Sequence, residues 1–398
     1  MKKIYIDLSV SGNNNGFVSG AGEYGIVIFS ELKKKLSPEC FYVGAKHSVN
    51  LDNSLLKAIP AENIIRYKNI DSLNKFLTDN DINVIFLPQL IHEHIDIKSD
   101  ADVIAVLHDL GDILDVENNK KDYYGKYYEL PFFQKFKFFI KTHMPFLMNK
   151  IISNKVCAYN ELITNFKNLE LINVSHYSKA TMKYYLSKNT VDSQVFYSPI
   201  KVFNYYNDNA LPEALKTRFD ISEGNYFLFC NAKRVRKNNS IALIAFDRFI
   251  TRTGRYDLKA VVLGSSSKYE KYILSKLKNK SNFVFDEYID KDYFEALYKF
   301  AHLFVFPSLL EGFGYPPVEA MKYGTLCACS SLTSISEICQ DAVIYFDPFD
   351  IRSIELAYYQ SFDNNLTARI KLRIADRYSC LAKRQKDDLN KLIELIIS

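Results

Sequence analysis

A chain of 398 residues exceeds what one ordinary core can hold and suits two domains. Its composition, 48% hydrophobic and 24% charged, is that of a soluble globular protein and argues against a disordered or fibrous one. The net charge of +5, from 51 basic and 46 acidic residues, gives no support to nucleic acid as a partner. From the N-terminus, short β-rich runs are expected at 3–8, 41–45, 83–88, 102–107 and 171–174. A polar, turn-rich stretch, Asn204-Tyr-Tyr-Asn-Asp-Asn-Ala-Leu-Pro212, reads as a hinge. Further strands are expected at 226–230, 258–263, 283–285, 303–307, 325–329 and 343–346. The tail from Arg377 to Ser398 is helical, with Leu389, Leu392, Ile393 and Ile396 at helical spacing. Strands alternating with helical periodicity imply α/β architecture: parallel sheets with crossover helices, in two Rossmann-like halves. The expected divisions are 1–203, 204–376 and a final helix over 377–398.

Asp7 interrupts an apolar start that is already too short for a signal peptide, and no run approaches bilayer length. The seven cysteines are odd in number and scattered, several of them within apolar strands (Cys230, Cys327, Cys329), which suits reduced thiols in a cytoplasm. Cys327 and Cys329 read as two small apolar side chains on one strand face rather than a metal pair.

The most informative stretch is Glu311-Gly-Phe-Gly-Tyr-Pro-Pro-Val-Glu319-Ala-Met-Lys-Tyr-Gly324. It follows the apolar run Leu303-Phe-Val-Phe-Pro307, a buried strand. Pro316 and Pro317 suit a first helical turn and Gly324 suits its end. Gly312 and Gly314 remove side chains where backbone must come close to something. The helix then points free N–H groups at the same spot, which favours an anion such as a diphosphate. Two flanking carboxylates accept hydrogen bonds from hydroxyls. A diphosphate beside many hydroxyls describes a nucleotide sugar.

This block resembles the Glu-x7-Glu signature of family 4 glycosyltransferases, retaining enzymes of the GT-B fold. The likeness continues through Leu326-Cys-Ala-Cys-Ser-Ser331, Ile335-Ser-Glu337 and Asp341-Ala-Val-Ile-Tyr-Phe-Asp-Pro348, and upstream through Tyr298-Lys-Phe-Ala-His-Leu-Phe-Val-Phe-Pro-Ser308. The resemblance implies that Glu311 bonds donor sugar hydroxyls and Glu319 the nucleotide ribose. The amides of Gly312, Phe313, Gly314 and Tyr315 would then face sugar and phosphate. It also implies two domains facing each other across a cleft, with a final helix returning to the first. The Phe-Ser-Trp that often opens that helix is here Tyr378-Ser-Cys380, a difference of packing.

Asn231-Ala-Lys-Arg-Val-Arg-Lys-Asn238 leaves the strand Tyr226-Phe-Leu-Phe-Cys230 and precedes a helix expected over Asn239–Phe249. Its cations sit at the carboxyl end of a strand, where open α/β sheets bind ligands. A guanidinium forks onto two phosphate oxygens, and an ammonium supplies a point charge. The segment is similar to the family's Gly-Thr-Ile-Glu-Pro-Arg-Lys-Asn. That likeness gives Arg236 and Lys237 the diphosphate role, with Asn231 and Arg234 beside them. Asn231 stands for the Gly and Lys233-Arg234-Val235 for Ile-Glu-Pro, so the extra charge leaves open which arginine meets phosphate.

Val103-Ile-Ala-Val-Leu107 ends in His108-Asp109, similar to the family's His-Asp, which puts His108 beside the donor sugar and Asp109 on the acceptor side. Ser19-Gly20-Ala21-Gly22-Glu23-Tyr24-Gly25 matches G-x-G-x-x-G. A dinucleotide reading fails, because the loop lies far from the strand ending near Ser9 and the second strand lacks an acidic ribose ligand. Gly20 and Gly22 are instead candidates for a glycine loop facing donor and acceptor. On a strand His92-Glu93-His94 would place two imidazoles on one face, a zinc-like pattern with no third ligand; the stretch reads rather as an acceptor-side loop, with His92 the candidate there. Asp79-Asn-Asp81 and Asp290-Lys-Asp292 mimic metal triplets, but the resemblance implies neither metal nor cofactor.

Two readings stand for 123–155, where aromatics interleave with Lys135, Lys137, Lys141 and Lys150. The helix either lies in an anionic membrane interface, which would favour a polyprenyl-linked saccharide acceptor, or packs its aromatics into the core. The function expected is a retaining, metal-independent hexosyltransferase of mannose, rhamnose or glucose type, acting on a glycan or lipid-linked acceptor in cell-surface polysaccharide synthesis. It would work in the cytoplasm or at the inner face of the plasma membrane. Alternatives are a nucleotide-sugar epimerase or hydrolase of the same fold, and a non-catalytic partner subunit.

Overall fold

The computed structural model describes residues 2–12, 18–51, 56–57, 59–111, 113–114, 145–186, 192–201 and 206–398. Most of the aromatic–lysine stretch 123–155 therefore lies outside the described residues. So does the start of the expected hinge, Asn204 and Tyr205. The described residues fall into two units. One comprises Met1–Glu117, Asn149–Val202 and Ala382–Ser398, and the other is built on Phe203–Leu381.

In the first unit, seven described strands form one parallel sheet: β1 (Ile4–Asp7), β2 (Phe41–Lys46), β3 (Ile64–Tyr67), β4 (Val84–Leu87), β5 (Asp102–Leu107), β6 (Leu169–Asn173) and β7 (Ser193–Val195). Their order is β3-β2-β1-β4-β5-β6-β7. Register pairs Ile4 with Phe41 on one side and Val84 on the other. The central strands read as near-continuous apolar runs because helices cover both sheet faces, and all of β1 and β4 is buried. The second unit repeats the arrangement with β8 (Tyr226–Phe229), β9 (Lys259–Leu263), β10 (Phe283–Asp286), β11 (Leu303–Phe306), β12 (Cys327–Ser330) and β13 (Ile344–Phe346), ordered β10-β9-β8-β11-β12-β13.

Each sheet reverses strand order once, between β1 and β4 and between β8 and β11. The two chains leaving such a pair diverge to opposite faces, which opens a crevice at the carboxyl edge. In the second unit, those two exits are the basic loop after Cys230 and the segment that leads to Glu311.

The last helix starts at Asn364, before the expected Arg377, and runs to Ile397. Along its final turns Leu381, Gln385, Asp388, Leu392 and Ile396 are buried at three- and four-residue spacing. Two of these are polar and have a defined task. Gln385 Nε2 donates to the Ser198 carbonyl at 2.6 Å, and Asp388 Oδ2 accepts from the Tyr197 N–H at 2.9 Å and from Arg384 Nε at 2.6 Å. These bonds satisfy backbone beyond β7, where no further strand continues the ladder. Asp388→Ala should leave the partly buried Tyr197 N–H without its acceptor. The expected loss is about 2 kcal/mol in the first unit's urea transition, and a change under a quarter of that would show the contact to be dispensable.

Candidate functional site at the second sheet's reversal

The chain leaves β8 through Cys230 and turns at once. Asn231 and Asn238 both adopt left-handed backbone (φ 55° and 54°), a conformation that asparagine tolerates better than other side-chain-bearing residues. Between them Val235–Lys237 forms a single 3-10 turn. Asn238 Nδ2 donates to the Pro348 carbonyl at 2.9 Å, and the Arg236 carbonyl accepts from the Leu309 N–H at 2.8 Å. The basic loop is thereby stitched to the exits of β13 and β11. The four cations separate in consequence. Lys233 and Arg234 are exposed, whereas Arg236 and Lys237 are half-buried. Lys233 pairs with the exposed Glu287, at 3.5 Å.

Lys237 Nζ forms an ion pair with Glu311 Oε1, both side chains being 13% exposed. Beneath the ammonium lies the Phe306 ring, its centroid 4.9 Å away. Ser308, fully buried, donates its hydroxyl to the same Oε1 at 2.5 Å. One carboxylate oxygen thus takes both bonds, which leaves Oε2 to turn elsewhere. Burial raises the neighbouring Cys230 thiol to about 12 despite the opposing Lys237 charge, so it stays protonated and inert.

After Glu311 the chain passes through buried Gly312, Phe313 and Gly314 into the short helix Tyr315–Met321, with prolines in its first turn as expected. Gly314 has φ 96°, a conformation that would strain any side chain, and this lets the loop reverse directly into the helix. The Phe313 ring packs edge-on against Tyr315, centroids 5.4 Å apart. Glu319 lies half-buried on that helix and accepts from the Tyr298 hydroxyl at 3.2 Å. Burial pushes the Tyr298 hydroxyl far above its ordinary range, so it remains a donor. The end of the same helix is pinned by Glu295, which accepts from Lys322 Nζ at 2.9 Å and from the Tyr323 hydroxyl.

Sequence reading picked out Arg236, Lys237, Glu311, Glu319 and the glycine loop, and the second unit brings the basic loop and Glu311 into contact. It gave no role to Ser308 or Tyr298, although both stood inside the matched stretch. Thr333 was passed over entirely, in the gap between Ser331 and Ile335. The Cys327 and Cys329 side chains are fully buried, as their strand reading expects, with the Cys329 thiol against Cys327 and Cys339.

The first-unit candidates stand on their own sheet. His108, half-buried after β5, has Nε2 2.9 Å from the Pro88 carbonyl. A carbonyl only accepts, so Nε2 carries the proton and Nδ1 the lone pair. Burial holds this imidazole below its ordinary value, against the pull of Pro88 and Asp109, so it is neutral at pH 7. Asp109 closes a tight turn by accepting from the Gly111 N–H at 2.7 Å. Gly20 opens the helix Gly20–Lys35, capped by the Ser19 hydroxyl, which accepts from the Gly22 N–H at 3.0 Å. A Cβ on Gly22 would lie 2.4 Å from the Val10 carbonyl, so this glycine serves close packing of helix on loop.

His92-Glu93-His94 lies in the 3-10 turn His92–Asp96, outside any strand, as a loop reading of the stretch expects. Residues two apart on such a turn diverge, so His92 is exposed while His94 is 2% exposed. Among the described residues no three His, Cys, Asp or Glu side chains stand together as a metal site. His94 lies near Asp7, whose Oδ2 accepts from the Tyr5 and Tyr67 hydroxyls at 2.9 and 2.8 Å.

The match to a known family falls on the second unit. Residues 213–375 match the sequence model of glycosyl transferases group 1. Serotype-specific mannosyltransferase WbdA of Escherichia coli is 41% identical over 76 residues, 19% of this chain and 9% of that protein. O-antigen chain mannosyltransferase B of Escherichia coli is 29% identical over 153 residues, 37% of this chain and 39% of that protein. The chain therefore spans well under half the length of either relative. Among solved structures, Anabaena Alr3699/HepE in complex with UDP and glucose aligns over 100% of both chains with a TM-score of 0.69 at 13% identity. That likeness is one of fold, two parallel-sheet Rossmann-like units of GT-B type.

Burial lowers His94 to about 4, with the charge of Lys46 acting the same way and that of Asp7 against it. The unfolded chain takes up this proton near pH 6.5, the folded chain only near 4. Stability from His94 is therefore complete above pH 6.5 and declines as pH falls through that window. Between about pH 7 and pH 5 the decline should reach about 2 kcal/mol in the unfolding free energy from urea titrations. In His94→Gln that part of the pH dependence should disappear, and an unchanged slope would refute the assignment.

Proposed function

We propose that this chain is a retaining glycosyltransferase that moves a hexose, of mannosyl type, from a nucleotide diphospho-sugar to a hydroxyl of a growing polysaccharide. One observation carries the reading. At the carboxyl edge of the second sheet, on residues matching glycosyl transferases group 1, the Lys237–Glu311 pair, the Arg236 turn and a glycine cradle meet at the strand reversal. The mannosyltransferase relatives support the sugar type and the polysaccharide product. HepE, solved with UDP and glucose, supports a nucleotide-linked donor.

Within this reading each group has a task. Arg236 and Lys237 face the diphosphate and offset the negative charge that grows on it as the sugar leaves. Glu311 accepts from sugar hydroxyls through Oε2, and Glu319 accepts from the ribose. The Gly312–Tyr315 backbone lies against sugar and phosphate without side chains in the way at the two glycines. The acceptor hydroxyl attacks from the leaving group's side and gives its proton towards the departing phosphate, so no side chain forms a covalent bond. His108, neutral with its lone pair on Nδ1, accepts from a substrate hydroxyl. Because side chains and amides carry the diphosphate charge, the reaction requires no divalent metal.

Glu311→Ala and Lys237→Ala are each expected to reduce mannosyl transfer from GDP-mannose at least 100-fold, about 3 kcal/mol of transition-state stabilisation. Circular dichroism should report an intact fold in both, and turnover within a few-fold of the parent protein would sink the assignment. Transfer should also continue at full rate in EDTA; loss that only a divalent ion restores would show that metal takes part.

A further inference from the structure

Glu311 is gripped from a direction that its own motif does not supply. Its N–H donates to Thr333 Oγ1 at 3.3 Å, and its carbonyl accepts from Ser334 Oγ at 3.0 Å. Both peptide groups flanking the Glu311 Cα are thus bound to one turn, 22 residues downstream. That turn leaves β12, which lies beside β11 with Cys329 paired to Phe306. Ser334 is fully buried and Thr333 is half-buried.

Thr333 has φ 60° and ψ −142°. This region is populated almost solely by glycine, and a β-branched residue there is an outlier held in place by its surroundings. Glycine would fit the backbone with less strain. What threonine offers and glycine lacks is the hydroxyl, and that hydroxyl is the group bonded to Glu311. The carboxylate end of Glu311 is secured separately, by Ser308 and Lys237. The residue is therefore fixed at both ends, and the tilt of its Cα–Cβ bond is set by the downstream turn.

We infer that the Thr333–Ser334 turn is a positioning element for sugar recognition. It sets the direction of Glu311 so that the carboxylate meets the hexose hydroxyls, and it acts on the sugar end of the donor rather than the nucleotide end. The inference rests on the function proposed above. Thr333 does not itself touch the donor in this scheme. The turn tunes which hexose fits, because a small rotation at the Glu311 Cα moves the carboxylate oxygen by a larger distance at the sugar.

The test compares the full chain with Thr333→Gly, Thr333→Val and Thr333→Ser by calorimetry against GDP, UDP, GDP-mannose and UDP-glucose, with thermal midpoints measured in parallel. Thr333→Gly should keep or raise the midpoint, because it relieves backbone strain. Its affinity for the bare nucleotide should stay within about two-fold, while that for the matching nucleotide sugar weakens about ten-fold. Thr333→Val, which keeps the shape and loses the hydroxyl, should show the same selective loss, and Thr333→Ser should restore the parent affinity. Parent-like nucleotide-sugar affinity in both Thr333→Gly and Thr333→Val overturns the positioning role alone. Equal weakening for nucleotide and nucleotide sugar also overturns it, since a general structural role predicts that pattern. A parent chain that binds none of the four compounds overturns the proposed function together with this inference.

Discussion

The site depends on one half-buried ion pair. Lys237 and Glu311 are each 13% exposed, so each has lost most of its water and relies on the other for compensation. Removing either partner leaves a charge with little solvent and no counter-ion, a loss of several kcal/mol. The Ser308 hydroxyl and the Phe306 ring complete the solvation of the pair without adding charge. Because Ser308 and Lys237 both address Oε1, the carboxylate cannot rotate without breaking two strong bonds. The remaining oxygen is thereby aimed by the fold rather than by a chosen rotamer.

That pair forms because two exits of one sheet diverge. β8 and β11 are neighbours although two strands and their helices separate them in sequence, and only such a reversal brings the loop after Cys230 against the segment after Phe306. The Leu309 N–H on the Arg236 carbonyl joins the exits through backbone alone, so the register of the site follows the register of the sheet. A one-residue slip of β11 would turn Phe306 away from Lys237 and carry Ser308 out of reach of Glu311. Core and chemistry are coupled through this register.

Much of this was legible in the sequence, for a physical reason. Central parallel strands are buried on both faces and print as unbroken apolar runs, so all eleven expected strands exist among the described residues. The two that escaped notice, Ile64–Tyr67 and Ser193–Val195, are the two edges of the first sheet. Edge strands are short and partly exposed, and Arg66 or Gln194 interrupts the apolar signal. The zinc-like spacing of His92 and His94 carries no such meaning, because the two rings share a face on a strand but diverge on the 3-10 turn they occupy. Glu311 and Lys237 announced themselves by motif, whereas Thr333 could not. Its contact with Glu311 spans two neighbouring strands, and its backbone angle leaves no mark in a one-dimensional sequence beyond a threonine where glycine would be easier.

The orientation of the pair bears on the proposed chemistry. As a glycosidic bond to a diphosphate breaks, negative charge gathers on the phosphate oxygens and positive charge on the sugar ring. With the donor bound as proposed, the ammonium towards the diphosphate and the carboxylate towards the sugar form a dipole that opposes each developing charge with its complement. Before donor binding the two ends neutralise one another, which makes their partial burial tolerable. On the proposed function, each exchanges part of that mutual attraction in the transition state for a stronger interaction with substrate. Because the groups are already placed, little reorganisation is needed at the moment of reaction, and this is the condition under which fixed charges accelerate a step most. The same logic explains why the scaffold grips Glu311 so firmly. When Lys237 turns part of its charge to substrate, the carboxylate is still held by the Ser308 hydroxyl and, through its peptide groups, by Thr333 and Ser334, so its direction does not depend on the ion pair alone.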